Sequence, residues 1–147
     1  MLLGRQFLRQ SQLSKAEACM NLPERVIQFG TGVLLRGLPG YFIDKANRAG
    51  IFNGRIVVVK STGDDVSGFE KQDCIYTHLI AGIQDGKPVT ETIINTAISR
   101  VLSARKQWQE ILRLAGDPAI RIVISNTTEA GLLKLEDRIE NQPPQSY

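Results

Sequence analysis

Apolar residues recur at helical spacing from Val33 onward, through Leu34, Leu38, Phe42, Ile43 and Ala46, while Asp44, Lys45 and Arg48 fall on the other face. This pattern predicts a helix whose first turns are disturbed by Pro39-Gly40 and which ends at Gly50 as its C-terminal cap. Ahead of it, residues 25–29 predict a short strand. Behind it, Ile56-Val57-Val58-Val59 is a β-branched run between Gly54-Arg55 and Ser61-Thr62-Gly63, which predicts a strand buried on both faces. Strand, helix and strand within about 35 residues make one βαβ unit. Residues 62–72 are polar and glycine-containing and are expected to be a connection.

The alternation then changes. Residues 75–80 and 89–94 predict two strands joined at Asp85-Gly86, a dipeptide suited to a hairpin turn. Residues 97–102 predict a third strand extending this meander, so that antiparallel ribbon interrupts the second crossover. Trp108, Ile111, Leu112 and Ala115 mark an amphipathic helix stopped by Gly116-Asp117-Pro118. Residues 120–124 predict another buried strand, running into the polar string Ser125-Asn126-Thr127-Thr128-Glu129-Ala130-Gly131. The expected class is α/β: a Rossmann-like, mainly parallel sheet with helices on both faces and an inserted antiparallel β-meander. Residues 1–22, with one helical turn around 13–20, are expected to be a lead-in closed by Pro23. Residues 23–147 form the expected dinucleotide-binding domain, and the polar ending 142–147 reads as an arrested connection. No internal repeat is visible.

Composition narrows the partners. Eighteen Lys+Arg against fifteen Asp+Glu give a net charge of +3 in 147 residues. The cations are scattered, without an aromatic-rich basic strand, so nothing supports nucleic-acid binding. No apolar run reaches the roughly 20 residues of a membrane span, and the start lacks a signal-peptide layout, so the chain reads as cytoplasmic. Cys19 and Cys74 stand alone with His78 as the single histidine, which argues against a metal site and for reduced thiols.

Chemistry concentrates at three strand ends. Gly30-Thr31-Gly32 follows the first strand, where a glycine turn and helix start can hold a phosphate on main-chain N–H groups. Leu35 stands where a third glycine would fall, and Gly37 comes two residues later, so the turn also reads as an ordinary strand–helix connection. Arg36, one turn into the helix, can pair with pyrophosphate or remain solvated. At the end of the second strand a ribose-gripping acid is expected, but Lys60-Ser61-Thr62 stands there, with Asp64-Asp65 beyond. Lys60 either attracts a 2′-phosphate or points to solvent. Residues 125–131 lie at a strand's carboxyl end, where open α/β sheets bind ligands. They also resemble a helix N-cap, with Asn126 and Glu129 spaced as a capping box. His78 reads as a satisfied structural imidazole and Trp108 as core. No Ser-His-Asp, Cys-His or metal-ligand arrangement is present, so no catalytic residue is assigned.

The stretch from Arg25 to Arg36, Tyr76-Thr77 ahead of the turn at 82–88, and Ile124 to Gly131 together resemble the mannitol dehydrogenase family of metal-independent, polyol-specific long-chain dehydrogenases, in particular its hexuronate branch. The likeness runs from about Pro23 to the C-terminus. Its specific part is Ser-Asn-Thr-Thr-Glu-Ala-Gly, and the family's missing third glycine and basic residue after the turn match Leu35 and Arg36. The resemblance implies reversible hydride transfer between NAD(H) and the keto group of a small-molecule hexuronate. It implies that Gly30, Thr31, Gly32, Val33, Leu34, Leu35 and Arg36 hold pyrophosphate and that Lys60 lies near the adenosine ribose. Ser125, Asn126, Thr127, Thr128 and Glu129 complete the cofactor set, with 126–129 approaching the nicotinamide ribose. NAD is favoured and NADP stays open. The family's proton-transfer lysine, with Asn and His partners, belongs to a mainly helical C-terminal domain that nothing here matches. The chain alone is therefore expected to turn over little or nothing. A non-catalytic dinucleotide sensor and a methyltransferase-like nucleoside binder are the rival readings.

Overall fold

The computed structural model describes residue 8 and residues 16–127. After a helical segment, α1 (16–20), the order is β1 (Glu24–Phe29), α2 (Val33–Gly37), α3 (Pro39–Arg48), β2 (Arg55–Lys60) and α4 (Ser67–Glu70). It continues with β3 (Tyr76–Gln84), β4 (Lys87–Asn95), β5 (Ile98–Ser103), α5 (Trp108–Ala115) and β6 (Ile122–Ser125).

Four strands form a parallel sheet in the order β5-β2-β1-β6. The chain steps outward from β1 to β2 to β5, then crosses back to lay β6 on the other side of β1. The period of two along each strand sends Ile27, Val57, Val59 and Leu102 to one face, against Ile111 and the partly buried Trp108 of α5. Val26, Ile56, Val58 and Val101 face the other side, against Ile43 of α3 and Phe69 of α4. Helices therefore cover both faces, as expected. β2 is buried from Arg55 to Val59, each aliphatic side chain contributing about 2 kcal/mol.

The predicted helix disturbance is a break. α2 stops at Gly37, Leu38 intervenes, and Pro39 becomes the first residue of α3, where its missing N–H costs least. Gly50 ends α3 with φ +70°. Its N–H donates to Asn47 O and that of Ile51 to Ala46 O, at 3.0 and 2.9 Å, a Schellman arrangement.

Asp85 and Gly86 both take positive φ, 52° and 74°, and join β3 to β4 in an antiparallel ribbon. Three expectations are corrected. Residues 97–102 do not extend the meander: β5 pairs parallel with β2, so the insertion is two-stranded. The polar connection at 62–72 contains the short helix α4, which sends Phe69 into the core. Residues 120–124 are not a buried strand, because β6 is shorter and lies at the edge of the described sheet, with Ile122 39% and Val123 65% exposed.

At the ribbon's base, buried polar groups turn the chain back into the sheet. Asp44, 3% exposed, accepts from Thr96 N–H at 2.8 Å and Thr96 Oγ1 at 2.9 Å, and pairs with Arg48 Nε at 2.6 Å. Asn95 Nδ2 donates to Gly40 O and Asn95 Oδ1 accepts from Ala97 N–H, both at 2.9 Å.

Candidate cofactor site

Between β1 and β6 the chain's winding reverses. At such a switch point the loops leaving the carboxyl ends of two neighbouring strands diverge and open a crevice. Here Phe29 and Ser125 end those strands as register partners. The glycine turn and the polar string therefore leave the sheet side by side.

Gly30 closes β1 by donating its N–H to Val59 O of β2 at 2.9 Å. Its φ is +107°, a conformation that favours glycine, and an added Cβ would crowd Leu35 Cδ1 at 3.1 Å. Gly32 differs: it is the N-cap of α2 with φ −62° and ψ 158°, an ordinary extended geometry. A Cβ there would meet nothing beyond its chain neighbours within 4 Å among the described residues, so the space above this backbone is open. No side chain caps α2, and its first intrahelical bond runs from Arg36 N–H to Gly32 O. The N–H groups of Val33, Leu34 and Leu35 precede it, on a turn where Val33 is 76% and Leu34 57% exposed.

Beneath the turn sits Gln28, 1% exposed. Its Nε2 donates to Gly30 O at 3.0 Å, while Oε1 has no partner among the described residues. The open backbone of Gly32 at an uncapped helix start has the chemistry to take a dinucleotide's phosphate, whereas the Gln28 oxygen, itself an acceptor, has nothing to pair with there. Arg36 is half-buried. Its guanidinium lies 5.9 Å from the centre of the Phe69 ring, and its Nε has no hydrogen-bond partner among the described residues.

The structure thus brings Gly30, Thr31, Gly32, Val33, Leu34, Leu35 and Arg36 together on one turn, beside Ser125. Asn126 and Thr127 follow Ser125 and are exposed. Thr128 and Glu129, and with them the capping-box reading, lie outside the described residues. Lys60 ends β2, one strand from the turn, and its Nζ donates to Asp65 O at 2.6 Å. Asp65 in turn accepts from Ser67 N–H, and these hydrogen bonds hold its carboxyl below the usual range. Asp64 accepts from Ser103 Oγ at 3.0 Å. The loop after β2 is therefore tied to the end of β5 through Asp64 and to itself through Asp65.

His78 is not the satisfied imidazole expected. It packs edge-on against Tyr41 with ring centres 5.4 Å apart, yet its Nδ1 is buried without a hydrogen-bond partner among the described residues. Trp108 packs against the core as expected. Both cysteines are buried and free. A cavity of about 280 Å³ opens at the amino end of the sheet, beside Arg55, Ser99 and Arg100. There Arg100 pairs with Glu24 at 2.8 and 2.9 Å and with Glu110, and Arg55 donates to the carbonyls of Met20, Thr96 and Ile98. These cations already hold structural partners, so this end is brace rather than binding site. No described helix is long and apolar enough to cross a membrane.

No family model matches the chain, but individual relatives do. The altronate oxidoreductase of Halalkalibacterium halodurans is 43% identical over 123 residues, 82% of this chain and 24% of that protein. The altronate oxidoreductase of Bacillus subtilis is 37% identical over 127 residues, 85% of this chain and 26% of that protein. The chain belongs to the altronate oxidoreductase family. It spans about a quarter of the length of these relatives and matches their N-terminal portion. The fold of this family member agrees with Pseudomonas fluorescens mannitol 2-dehydrogenase, solved as a ternary complex with NAD and D-mannitol. The two superpose with a TM-score of 0.68 at 22% identity, over 86% of this chain and 26% of that one. A D-sorbitol dehydrogenase in substrate-free form gives 0.67, also at 22%, over 93% and 31%. These neighbours share the fold of this chain.

Proposed function

We propose that this altronate oxidoreductase relative is the NAD-binding part of a cytoplasmic enzyme that transfers hydride between NAD(H) and the keto group of tagaturonate, giving altronate. The observation that carries the reading is the paired departure of the glycine turn and the Ser125 string from a switch point. The names of the relatives and the NAD in the mannitol 2-dehydrogenase complex support it.

The nicotinamide, when bound, accepts or donates the hydride. The main-chain N–H groups of residues 32–35 and the Arg36 guanidinium hold the pyrophosphate, pairing its negative charge with oriented dipoles and one cation. Gln28 fixes the Gly30 carbonyl away from that charge. Ser125, Asn126 and Thr127 supply polar contacts to the nicotinamide ribose, joined by Thr128 and Glu129. Lys60 lies by the adenosine ribose. Its bond to Asp65 O leaves the ammonium close to where a 2′-phosphate would fall, so NADP is the competing cofactor. The proton-transfer groups and the sugar-acid contacts come from the chain's own C-terminal domain, with fructuronate or another polyol as the alternative substrate within the family.

Thermal protection of this chain tests the reading. NAD(H) raises the melting midpoint, and Gly32→Asp abolishes the rise while leaving the unliganded midpoint near its original value, because the new side chain meets ligand and not protein. A midpoint moved by S-adenosylmethionine and by neither dinucleotide overturns the proposal.

A further inference from the structure

α2 carries the N–H groups of the turn but is only five residues long, with Leu35 as its single buried residue. So short a helix does not hold its own direction, since nucleation costs more than one turn returns. Pro39 makes matters worse: it offers no N–H to Leu35 O, so the ladder is interrupted where α2 meets α3. Something else must fix the helix end.

That anchor comes from the inserted ribbon. Tyr76, the first residue of β3, donates its hydroxyl to Arg36 O at 2.9 Å. It reaches this carbonyl over Gly40, where a Cβ would lie 2.5 Å from Tyr76 Oη and 3.5 Å from Leu35 O. Gly40 has ordinary negative φ and could otherwise accept a side chain. Its own carbonyl accepts from Asn95, the last residue of β4. Both ends of the ribbon thus grip the helical break from one side. Burial and the nearby Asp44 charge push the Tyr76 hydroxyl far above its usual pKa, despite the opposing Arg36, so it remains a donor.

Resting on the NAD-binding reading, we infer that Tyr76 is a positioning residue: through Arg36 O it orients α2, and with it the phosphate-facing N–H groups and the Arg36 guanidinium. The inserted ribbon is on this account part of the cofactor site without touching the cofactor. Gly40 is the space the hydroxyl needs to get there.

The test compares ligands with and without a diphosphate. Ligand-observed NMR titration of the chain with NAD and with adenosine gives both affinities. Tyr76→Phe, which keeps the ring, weakens NAD by roughly five-fold and leaves adenosine little changed, while the melting midpoint falls by no more than the loss of one hydrogen bond allows. Gly40→Ala displaces the hydroxyl and gives the same selective loss. It adds nothing further in the Tyr76→Phe background, where the methyl group has room. Unchanged NAD affinity in Tyr76→Phe, or equal loss for NAD and adenosine, overturns the inference while leaving the cofactor reading intact. A parent chain that binds no NAD removes both.

Discussion

β2 and β3 are strands of one chain with opposite surroundings. β2 has neighbours on both edges and helices over both faces, and five of its six residues are buried. β3 pairs along one edge only, and from Ala81 to Gln84 every residue is exposed. The face of the ribbon carrying Thr77, Leu79, Ala81 and Ile83 pairs across with Ile94, Thr92, Thr90 and Pro88, a surface without charge. β2 owes its order to desolvation, whereas the ribbon owes its order to main-chain pairing plus a few polar bonds at its base. The difference teaches where rigidity is placed. The sheet supplies a fixed strand end for the glycine turn, and the ribbon is firm only where it meets the broken helix.

The comparison can be broken most forcefully in the sheet. Ile56→Ala removes a fully buried side chain and is expected to cost about 3–4 kcal/mol, read as a lower urea midpoint with unchanged cooperativity. Asp44→Ala is next. It strands the Thr96 N–H and removes the ion pair of Arg48, which keeps its bond to Ile94 O, and should cost about 3 kcal/mol. It also discriminates between the regions: amide hydrogen exchange should quicken in β3 and β4 while β1 and β2 keep their protection. The smallest effect belongs to the ribbon's outer face. Leu79, 65% exposed, changed to Thr should shift stability by less than about 0.5 kcal/mol. A loss there comparable with Ile56→Ala would mean that the two regions are held by the same forces.

Much of this could be read before any coordinates. The β-branched run of β2 announced burial, Asp85-Gly86 the hairpin, Pro39 the helical break and Gly50 the stop, because each is a local rule acting within a few residues. β5 was legible as a strand but not in its sheet. It pairs with β2, and the turn leading into it is held by Asp44 from 52 positions away, which no local pattern records. β6 misled for a related reason: apolar composition says that a strand can be buried, while its edge place in the described sheet leaves Val123 exposed. In the site, the glycine turn and the polar string stood out by residue type. Gln28 had a visible signal, a polar residue in an otherwise buried strand, that went unused. Tyr76 stood out only through the family resemblance, since an aromatic in a strand predicts packing, and the approach to Gly40 reveals what its hydroxyl does.

Cys74 has a consequence of another kind. Its thiol is 6% exposed and, mainly through burial, is pushed up to about 11. Alkylating reagents attack the deprotonated sulfur, so at neutral pH this side chain is shielded twice, by access and by protonation. Reaction at Cys74 therefore waits for the surrounding core to open, and the pace of its labelling is a clock for that opening, built into the natural sequence with no probe added.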